Sequence, residues 1–487
     1  MSSQQNTTNQ LNPTKHQRSV FSIIMEPFSK RQLQLVQVGR SNWRRKTNRT
    51  RRYISINNKS HDSSHFRLPS PADFPSWAYE PKDYFKFEII HQSKKSLART
   101  GRITTPHGTI DTPAFVAVGT NAALKAIDFA KADDAGQQLI FSNTYHLLLQ
   151  PGPRIIRDAG GIHKFTGREK PFITDSGGFQ VFSLAYGSVK ESLESGGELK
   201  RSNRKVIQSA KKRNDKCHWR SDVTGENAVT VTEDHVIFKS YRDGAKVTLT
   251  PESSIQAQRD IGADIIIPLD ELPPHHIDRD SLAASVERSH RWEARSLMEH
   301  LKDSRERKQA IFSVIHGGTD VELRTKSLEY LTSLPWDGYA IGGSLGNGRD
   351  ELKQLLGWMM PLFNENGRRD KCRHLLGIAD LESVKNAVIH GVDSMDSSYP
   401  TKLARHGTLM TKEGLIRIKR GKHAKSYGIK IDEGCECLTC AHYDRAYLCH
   451  LFKANELLGL ELATQHNIYF MNQLMSQMRI DILNGNI

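Results

Sequence analysis

The sequence predicts an α/β chain: a (β/α)8 TIM barrel followed by a C-terminal zinc-binding subdomain. Three observations carry this prediction. Short apolar runs rich in β-branched residues recur eight times between about Phe85 and residue 410. Segments of helical character lie between them. Beyond the last run, three of the chain's six cysteines crowd into Cys435, Cys437 and Cys440.

Residues 1–84 come before that pattern. Residues 1–60 hold twelve Lys and Arg against a single acid, Glu26, a local charge of +11. They are rich in Ser, Asn and Gln and have no sustained apolar period, so a disordered basic extension is expected. An Arg-rich, acid-poor composition is also that of an organelle-targeting segment, with Met25 as an alternative start. The expected location is therefore the cytoplasm, or an organelle matrix or stroma if the segment is an address. Pro69, Pro71, Pro75 and Pro81 then read as a linker up to about Tyr84.

The barrel is expected over 85–410. Its runs are 112–118, 138–142, 171–174, 264–269, 310–315, 338–341, 374–378 and 387–394. They are continuously apolar rather than alternating, as strands covered on both faces must be. Helix-like stretches at 280–300, 320–334 and 349–362 separate several of them. Strand alternating with helix implies a parallel sheet. Eight such units close into a barrel, which needs about 250 residues. An open doubly wound sheet is the alternative, but no G-x-G-x-x-G follows a first strand to support it. Residues 187–228 read as a long polar insertion, and loops of that length are functional or disordered. Within it, residues 190–220 hold ten Lys and Arg against four acids, or +6. The two basic stretches exceed the net +15, so the rest of the chain sums to −2. A polyanion-binding face on the barrel must therefore come from local arrangement.

Two classes are excluded by composition. The longest apolar runs, such as 265–269, fall far short of the roughly 20 residues of a membrane span. Six cysteines in 487 residues are too few for a disulfide scaffold and point to a reducing compartment.

The residues after each run carry the chemistry. Asp175-Ser176-Gly177-Gly178 follows the third run, Asp270-Glu271 the fourth and His316-Gly317-Gly318 the fifth. Gly342-Gly343 follows the sixth, Gly377 lies within the seventh, and the last run leads to Asp396. A single Asp after a strand is usually a turn residue or helix cap. In a barrel all the strand tips share one face, so three carboxylates, a histidine and bare glycine backbone would converge there. One carboxylate can attack a sugar carbon while a second moves the proton, which is the division of labour in retaining glycosyl transfer. Glycine turns let backbone groups approach a flat heterocycle.

Cys435-x-Cys437-x2-Cys440 supplies three thiolate ligands, and His466 follows 26 positions after the last. Cys3His is a closed tetrahedral zinc set, hence structural rather than catalytic. Spacing alone does not choose among His466, His442 and His450 as the fourth ligand. Cys217, Cys372 and Cys449 form no pattern.

Taken together these motifs resemble the tRNA-guanine transglycosylase, or queuine tRNA-ribosyltransferase, family. The resemblance rests on Asp175 to Val181 (DSGGFQV), Ser142 to Leu147 (SNTYHL), Gly342-Gly343, Asp396 with Tyr399-Pro400-Thr401, and the cysteine cluster with His466-Asn467-Ile468. Order and spacing match from about Phe85 to the C-terminus. The resemblance implies exchange of guanine at the anticodon wobble position, G34, for a 7-deazaguanine base, queuine or its precursor preQ1. It implies Asp396 as the nucleophile that forms a covalent tRNA adduct and Asp175 as the proton acceptor. For the base it implies Asn143, Asp175, Ser176, Gly177, Gly178, Phe179 (stacking), Asp270 (purine edge), His316 and Gly343. For RNA it implies Gly377, Ile378, Ala379, Asp380, Leu381, Glu382 and Ser383, with Thr401, Lys402, Leu403, Ala404 and Arg405. It selects His466 as the fourth ligand of a single structural Zn2+. The implied partners are a tRNA with a GUN anticodon, the free base, and a second subunit in a homodimer or a heterodimer with a related chain. The sequence departs from the family pattern at His316, where Gln is usual. Further departures are Ser344 for Leu, Gly348 near a common Glu, Lys402 for Arg, and Leu272 and Ser397 for cysteines. A silent tRNA-binding accessory subunit is the alternative; such a chain would be expected to lack one of the two aspartates.

Overall fold

The computed structural model describes residues 67–185, 229–273, 275, 277–303, 308–365 and 369–487. The expectations for the basic N-terminal extension and the 187–228 insertion lie outside the described residues.

Residues 67–84 form two short 3-10 turns, Pro71–Asp73 and Ser76–Tyr79. Phe74 and Ala78 are buried within the main core cluster. The Tyr330 hydroxyl donates to the Pro69 carbonyl (2.9 Å), and Lys82 pairs with Asp337 (2.8 Å). The proline-rich stretch is thus strapped to the folded body. An antiparallel sheet follows, β1 (Lys86–Gln92), β2 (Arg99–Thr105) and β3 (Gly108–Thr112). Ile103 and Ile110 of this sheet join Phe85, Ala310 and Phe312 in one buried cluster, with the Phe85 ring edge-on to Phe312 at 5.8 Å. The sheet therefore packs against the N-terminal end of the barrel, opposite the strand tips.

The strands that follow are β4 (Ala114–Val118), β5 (Ile140–Ser142), β6 (Phe172–Thr174), β7 (Thr230–Val231), β8 (Val236–Lys239), β9 (Lys246–Leu249), β10 (Ile265–Ile266), β11 (Ala310–Ile315), β12 (Gly338–Ile341), β13 (Cys372–Leu375) and β14 (Ser394–Ser397). Eight of them close a parallel barrel in the order β10-β11-β12-β13-β14-β4-β5-β6, with Ile265 of β10 beside Ile173 of β6. Strands β11, β12 and β13 are buried at every position, as helices outside and packed side chains inside require.

The run at 387–394 is corrected. Ala387, Val388 and Ile389 end the helix Leu381–Ile389, and the eighth strand begins only at Ser394. Asp380 caps that helix by accepting the Ser383 N–H (3.2 Å), and Val384, Ala387 and Val388 are buried at helical spacing. The strand itself carries Ser394 and Asp396, so it had no continuous apolar signal. A second antiparallel sheet, β7-β8-β9, was not foreseen. Its Val236, Phe238, Val247 and Leu249 pack with Tyr145, Phe182 and Trp292.

After the barrel come the hairpin β15 (Thr408–Thr411) and β16 (Gly414–Arg417) and the helices Leu438–His442, Arg445–Ala454 and Leu457–Leu483. The last helix returns along the barrel. Asn472 donates to the Ala135 carbonyl (3.0 Å), Arg479 donates to the Pro113 carbonyl (2.7 Å), and Met471, Met475 and Ile482 are buried in the barrel's core cluster. No helix of the described residues is long and apolar enough to cross a membrane.

Candidate active site

Asp175 stands one residue beyond β6. Its carboxylate accepts from the Thr144 N–H (2.8 Å), Asn143 Nδ2 (2.7 Å) and Gln180 Nε2 (3.0 Å). Three donors favour the ionised form. Burial outweighs them, and with the nearby charge of Asp396 it holds the Asp175 carboxyl above its ordinary range. Gly177 supplies the turn that makes this possible. Its φ is +87°, and a Cβ there would stand 3.0 Å from the Tyr145 nitrogen.

Asp396 lies in β14, paired with Val116 of β4. Its Oδ1 accepts from the Gly377 N–H (3.1 Å) and lies 3.2 Å from His374 Nε2. His374 is itself fixed by Ser394 Oγ (2.9 Å) on its other nitrogen. Asp396 is buried but for a small exposed fraction, so one carboxylate oxygen is oriented while the group remains at the edge of the barrel mouth.

The wall beside these two aspartates is built from β10 to β12. Asp270 is driven up to about 7, chiefly by burial and further by the charge of Asp175. His316 Nε2 lies 3.6 Å from Asp270 Oδ2 and 3.3 Å from Oε1 of Glu293, on the helix Arg279–Asp303. Burial pushes His316 well below its ordinary value, leaving it neutral, and pushes Glu293 well above its own. Arg324 is fully buried and, among the described residues, pairs with no carboxylate. It donates to the carbonyls of Ile315 (3.0 Å), Gly318 (2.8 Å), Gly342 (3.1 Å) and Ser344 (3.1 Å). Burial lowers it to about 9, which still leaves it cationic at neutral pH. One guanidinium thus ties together the two glycine turns after β11 and β12. Gly317 is required there: its φ is +128°, and a Cβ would stand 2.5 Å from the backbone nitrogen of Arg324. A cavity of about 260 Å³ opens on this wall, lined by residues that include Glu271, His316, Gly317, Gly343 and Ser344.

The structure brings Asn143, Asp175, Ser176, Gly177, Gly178, Asp270, His316, Gly343 and Asp396 to the tips of the barrel strands. Ser176 Oγ accepts the Gly178 N–H (3.1 Å). Phe179 opens the helix Gly178–Ala185 and is 50% exposed, free to meet a partner ring. Of the residues expected to meet RNA, Ala379, Ser383, Thr401 and Ala404 are buried, whereas Gly377, Glu382 and Lys402 are exposed. Asp380 and Glu382 are engaged by Arg349 (2.8 and 2.7 Å), and Gly377 gives its N–H to Asp396. Sequence reasoning missed His374, Gln180, Glu293 and Arg324. Gln180 lay within a quoted motif; a histidine inside a strand, an acid on a charged helix and a lone arginine carry no spacing signal.

The cysteine cluster is also assembled. Sγ of Cys435, Cys437 and Cys440 lie 3.7, 3.4 and 3.4 Å from His466 Nδ1, and all four residues are buried. Ligands at tetrahedral Zn–S and Zn–N distances would be about 3.6 Å apart. His466 Nε2 faces the Met410 carbonyl at 2.8 Å, the outer contact that leaves Nδ1 as the ligand atom. His442 and His450 are exposed, so the geometry singles out His466. Asn467 beside it donates to the Pro400 and Thr408 carbonyls (3.0 and 3.1 Å) and accepts the Met410 N–H (2.9 Å), linking the cluster to the segment after Asp396.

Fold and site together define a (β/α)8-barrel protein with paired acidic groups at the strand tips and a separate S3N cluster that could hold a metal ion. The family described as Queuine tRNA-ribosyltransferase matches residues 93–214 and 198–487. A Queuine tRNA-ribosyltransferase of Protochlamydia amoebophila (strain UWE25) is 53% identical over 399 residues, covering 82% of this chain and 95% of that protein. Those of Chlamydia felis (strain Fe/C-56) and Chlamydia pneumoniae are each 46% identical over 403 residues, covering 82% of this chain and 99% of theirs. The chain belongs to the queuine tRNA-ribosyltransferase family.

Proposed function

We propose that this protein is a tRNA-guanine transglycosylase, a pentosyltransferase that replaces guanine at G34 of a GUN anticodon with queuine or its precursor preQ1. The observation that carries the reading is the pair of aspartates at the barrel mouth, each held by dedicated donors, in a chain of this family. An ionised Asp396 oxygen attacks C1′ of the ribose. The C1′–N9 bond breaks, its electron pair leaves with guanine, and guanine takes up a proton. The result is a covalent aspartyl-ribose adduct. Asp175 then removes the N9 proton of the incoming base. That nitrogen attacks C1′ and releases Asp396, so the configuration at C1′ is retained.

Asp270 takes the N1–H and exocyclic amine of the base, a donor face suited to a carboxylate. Asn143, Ser176, Gly177 and Gly178 shape the pocket, Phe179 stacks on the ring, and His316 and Gly343 meet its remaining edge. The target nucleotide is turned out of the anticodon loop to reach this depth. The exposed Lys402 and the half-buried Arg405 are the candidate phosphate contacts. The four-ligand cluster holds one Zn2+, a closed site that staples the region after the barrel and takes no part in the reaction. A dimer, with a second copy or a related subunit, and a cytoplasmic or organellar location complete the reading.

Incorporation of radiolabelled guanine into tRNA, beside an Asp396→Ala control, tests it. Label entering with wild type alone, and a covalent tRNA adduct retained on denaturing gels, is the expected result. Bound tRNA with neither label nor adduct would sink the reading and favour an accessory subunit.

A further inference from the structure

Ser394 and Asp396 stand two residues apart on β14, so their side chains share one face. His374 of β13 is the register partner of Ser394, and its ring reaches both. Its Nδ1 is hydrogen-bonded to Ser394 Oγ (2.9 Å) and its Nε2 to Asp396 Oδ1 (3.2 Å). His374 and Ser394 are fully buried. The same Oδ1 takes the Gly377 N–H at 3.1 Å. A backbone N–H can only donate, so Oδ1 is an acceptor. A bare Nε2 facing it would set two lone pairs against each other in a buried site. The hydrogen therefore belongs on Nε2. The Ser394 hydroxyl, which donates as readily as it accepts, serves Nδ1. Both donors thus fall on Oδ1, and Asp396 Oδ2 has none among the described residues.

We propose that His374 is a positioning residue whose Nε2–H, beside the Gly377 N–H, occupies Oδ1 of Asp396, leaves Oδ2 as the oxygen that attacks C1′, and makes Asp396 the better leaving group when the adduct breaks. In the adduct Oδ2 is bonded to C1′ and Oδ1 is the carbonyl of an uncharged ester. When N9 of a base attacks, the C1′–Oδ2 bond breaks and its electron pair returns to the carboxylate, where Oδ1 shares the charge. A hydrogen bond to an ionised acceptor is about twice as strong as one to a neutral acceptor. The Nε2–H bond thus tightens as Asp396 leaves. It also steadies the free carboxylate before attack. Its removal should therefore favour the adduct over free carboxylate rather than disable Asp396. This inference rests on the transglycosylase reading for its adduct but not for the place of the hydrogen.

The test forms the adduct from the full chain and tRNA, then titrates guanine. Denaturing gels read the guanine concentration that discharges half of the adduct. His374→Phe keeps an aromatic ring beside Phe141 but has no donor, and it is expected to need about tenfold more guanine than wild type. His374→Asn places its amide near Ser394, too short to reach Asp396, and should behave as H374F does. His374→Gln returns an N–H near the place of Nε2 and should stay within about threefold of wild type. In wild type labelled with 15N-histidine, the resonance that H374F removes is expected to show a hydrogen on Nε2. A bare Nε2 overturns the proposal. So does a folded H374F that needs no more guanine than wild type, or that forms less adduct, as a merely structural role would have it. An H374Q displaced as far as H374F overturns it too, since the donor would then not be what matters. If H374F does not fold, H374N and H374Q decide. Wild type that forms no adduct sinks the transglycosylase reading and the leaving-group role with it, while a hydrogen on Nε2 would still uphold the assignment of the ring.

Discussion

The two aspartates differ in what surrounds them, and the difference suits the roles proposed for them. Asp396 is oriented through one oxygen by Gly377 and His374, as an attacking group must be. Replacing it by Asn should abolish base exchange while leaving tRNA affinity, measured by filter binding, within a few-fold; an Asn variant that no longer bound tRNA would make Asp396 structural. Asp175 is a half-buried carboxylate whose ionisation depends on three donors. As a base it must be ionised, so activity should fall as pH drops through its raised value. Asn143→Leu removes one donor, raises Asp175 further and should move the acid limb of the kcat/KM profile to higher pH. An unmoved limb would detach Asp175 from the titration. Asp175 was legible in the sequence because it follows an apolar run that is a strand, β6; Asp396 was legible from the motif it shares with Tyr399-Pro400-Thr401, since the run before it ends a helix. His374 and Glu293 were not, because their roles depend on which neighbour a buried polar atom faces, and no spacing encodes that.

At the scale of elements, the pocket wall depends on two turns that have no side chains to hold them. Arg324, on the helix Val321–Ser333, fastens both through four carbonyls. Arg324→Met would strand those acceptors in a buried site. We expect a loss of about 3 kcal/mol in urea unfolding and a greater loss in base affinity than in tRNA affinity. Arg324→Lys should recover only part of either, since an ammonium lacks the planar fork. A variant with unchanged stability and base affinity would show that the turns hold themselves. The elements also mark the limits of reading from sequence. Strands β11 and β12 fall where their runs predict, because every position is apolar or small. The eighth strand escaped because its buried residues include a serine and the candidate nucleophile. The sheets β1-β3 and β7-β9 escaped because they are antiparallel additions, buried mainly on one face, beside a pattern read for parallel strands.

Across the whole molecule, one helix joins three functions. Leu457–Leu483 carries His466 of the candidate metal cluster, the bridging Asn467 and the apolar face that packs on the barrel. Metal loss should therefore reach the active site. Purified protein should contain about one zinc per chain. Cys437→Ser should lose the metal, lower the melting temperature and reduce guanine exchange together; a metal-free variant with full exchange would confine the cluster to local stability. Charge is distributed in the opposite sense. The net positive charge lies in two stretches outside the described residues, while the remainder of the chain is nearly neutral. A barrel mouth lined by carboxylates would repel phosphate unless cations flank it, and the 190–220 segment carries ten of them. Deleting that segment should flatten the dependence of log tRNA affinity on log salt by about 0.7 to 0.9 for each phosphate it had neutralised. Single-turnover exchange on bound tRNA should be unaffected, because the chemistry belongs to the barrel. A slope that does not change would assign RNA capture to local cations such as Lys402 and Arg405. Lys402→Ala should then flatten the slope that the deletion leaves intact.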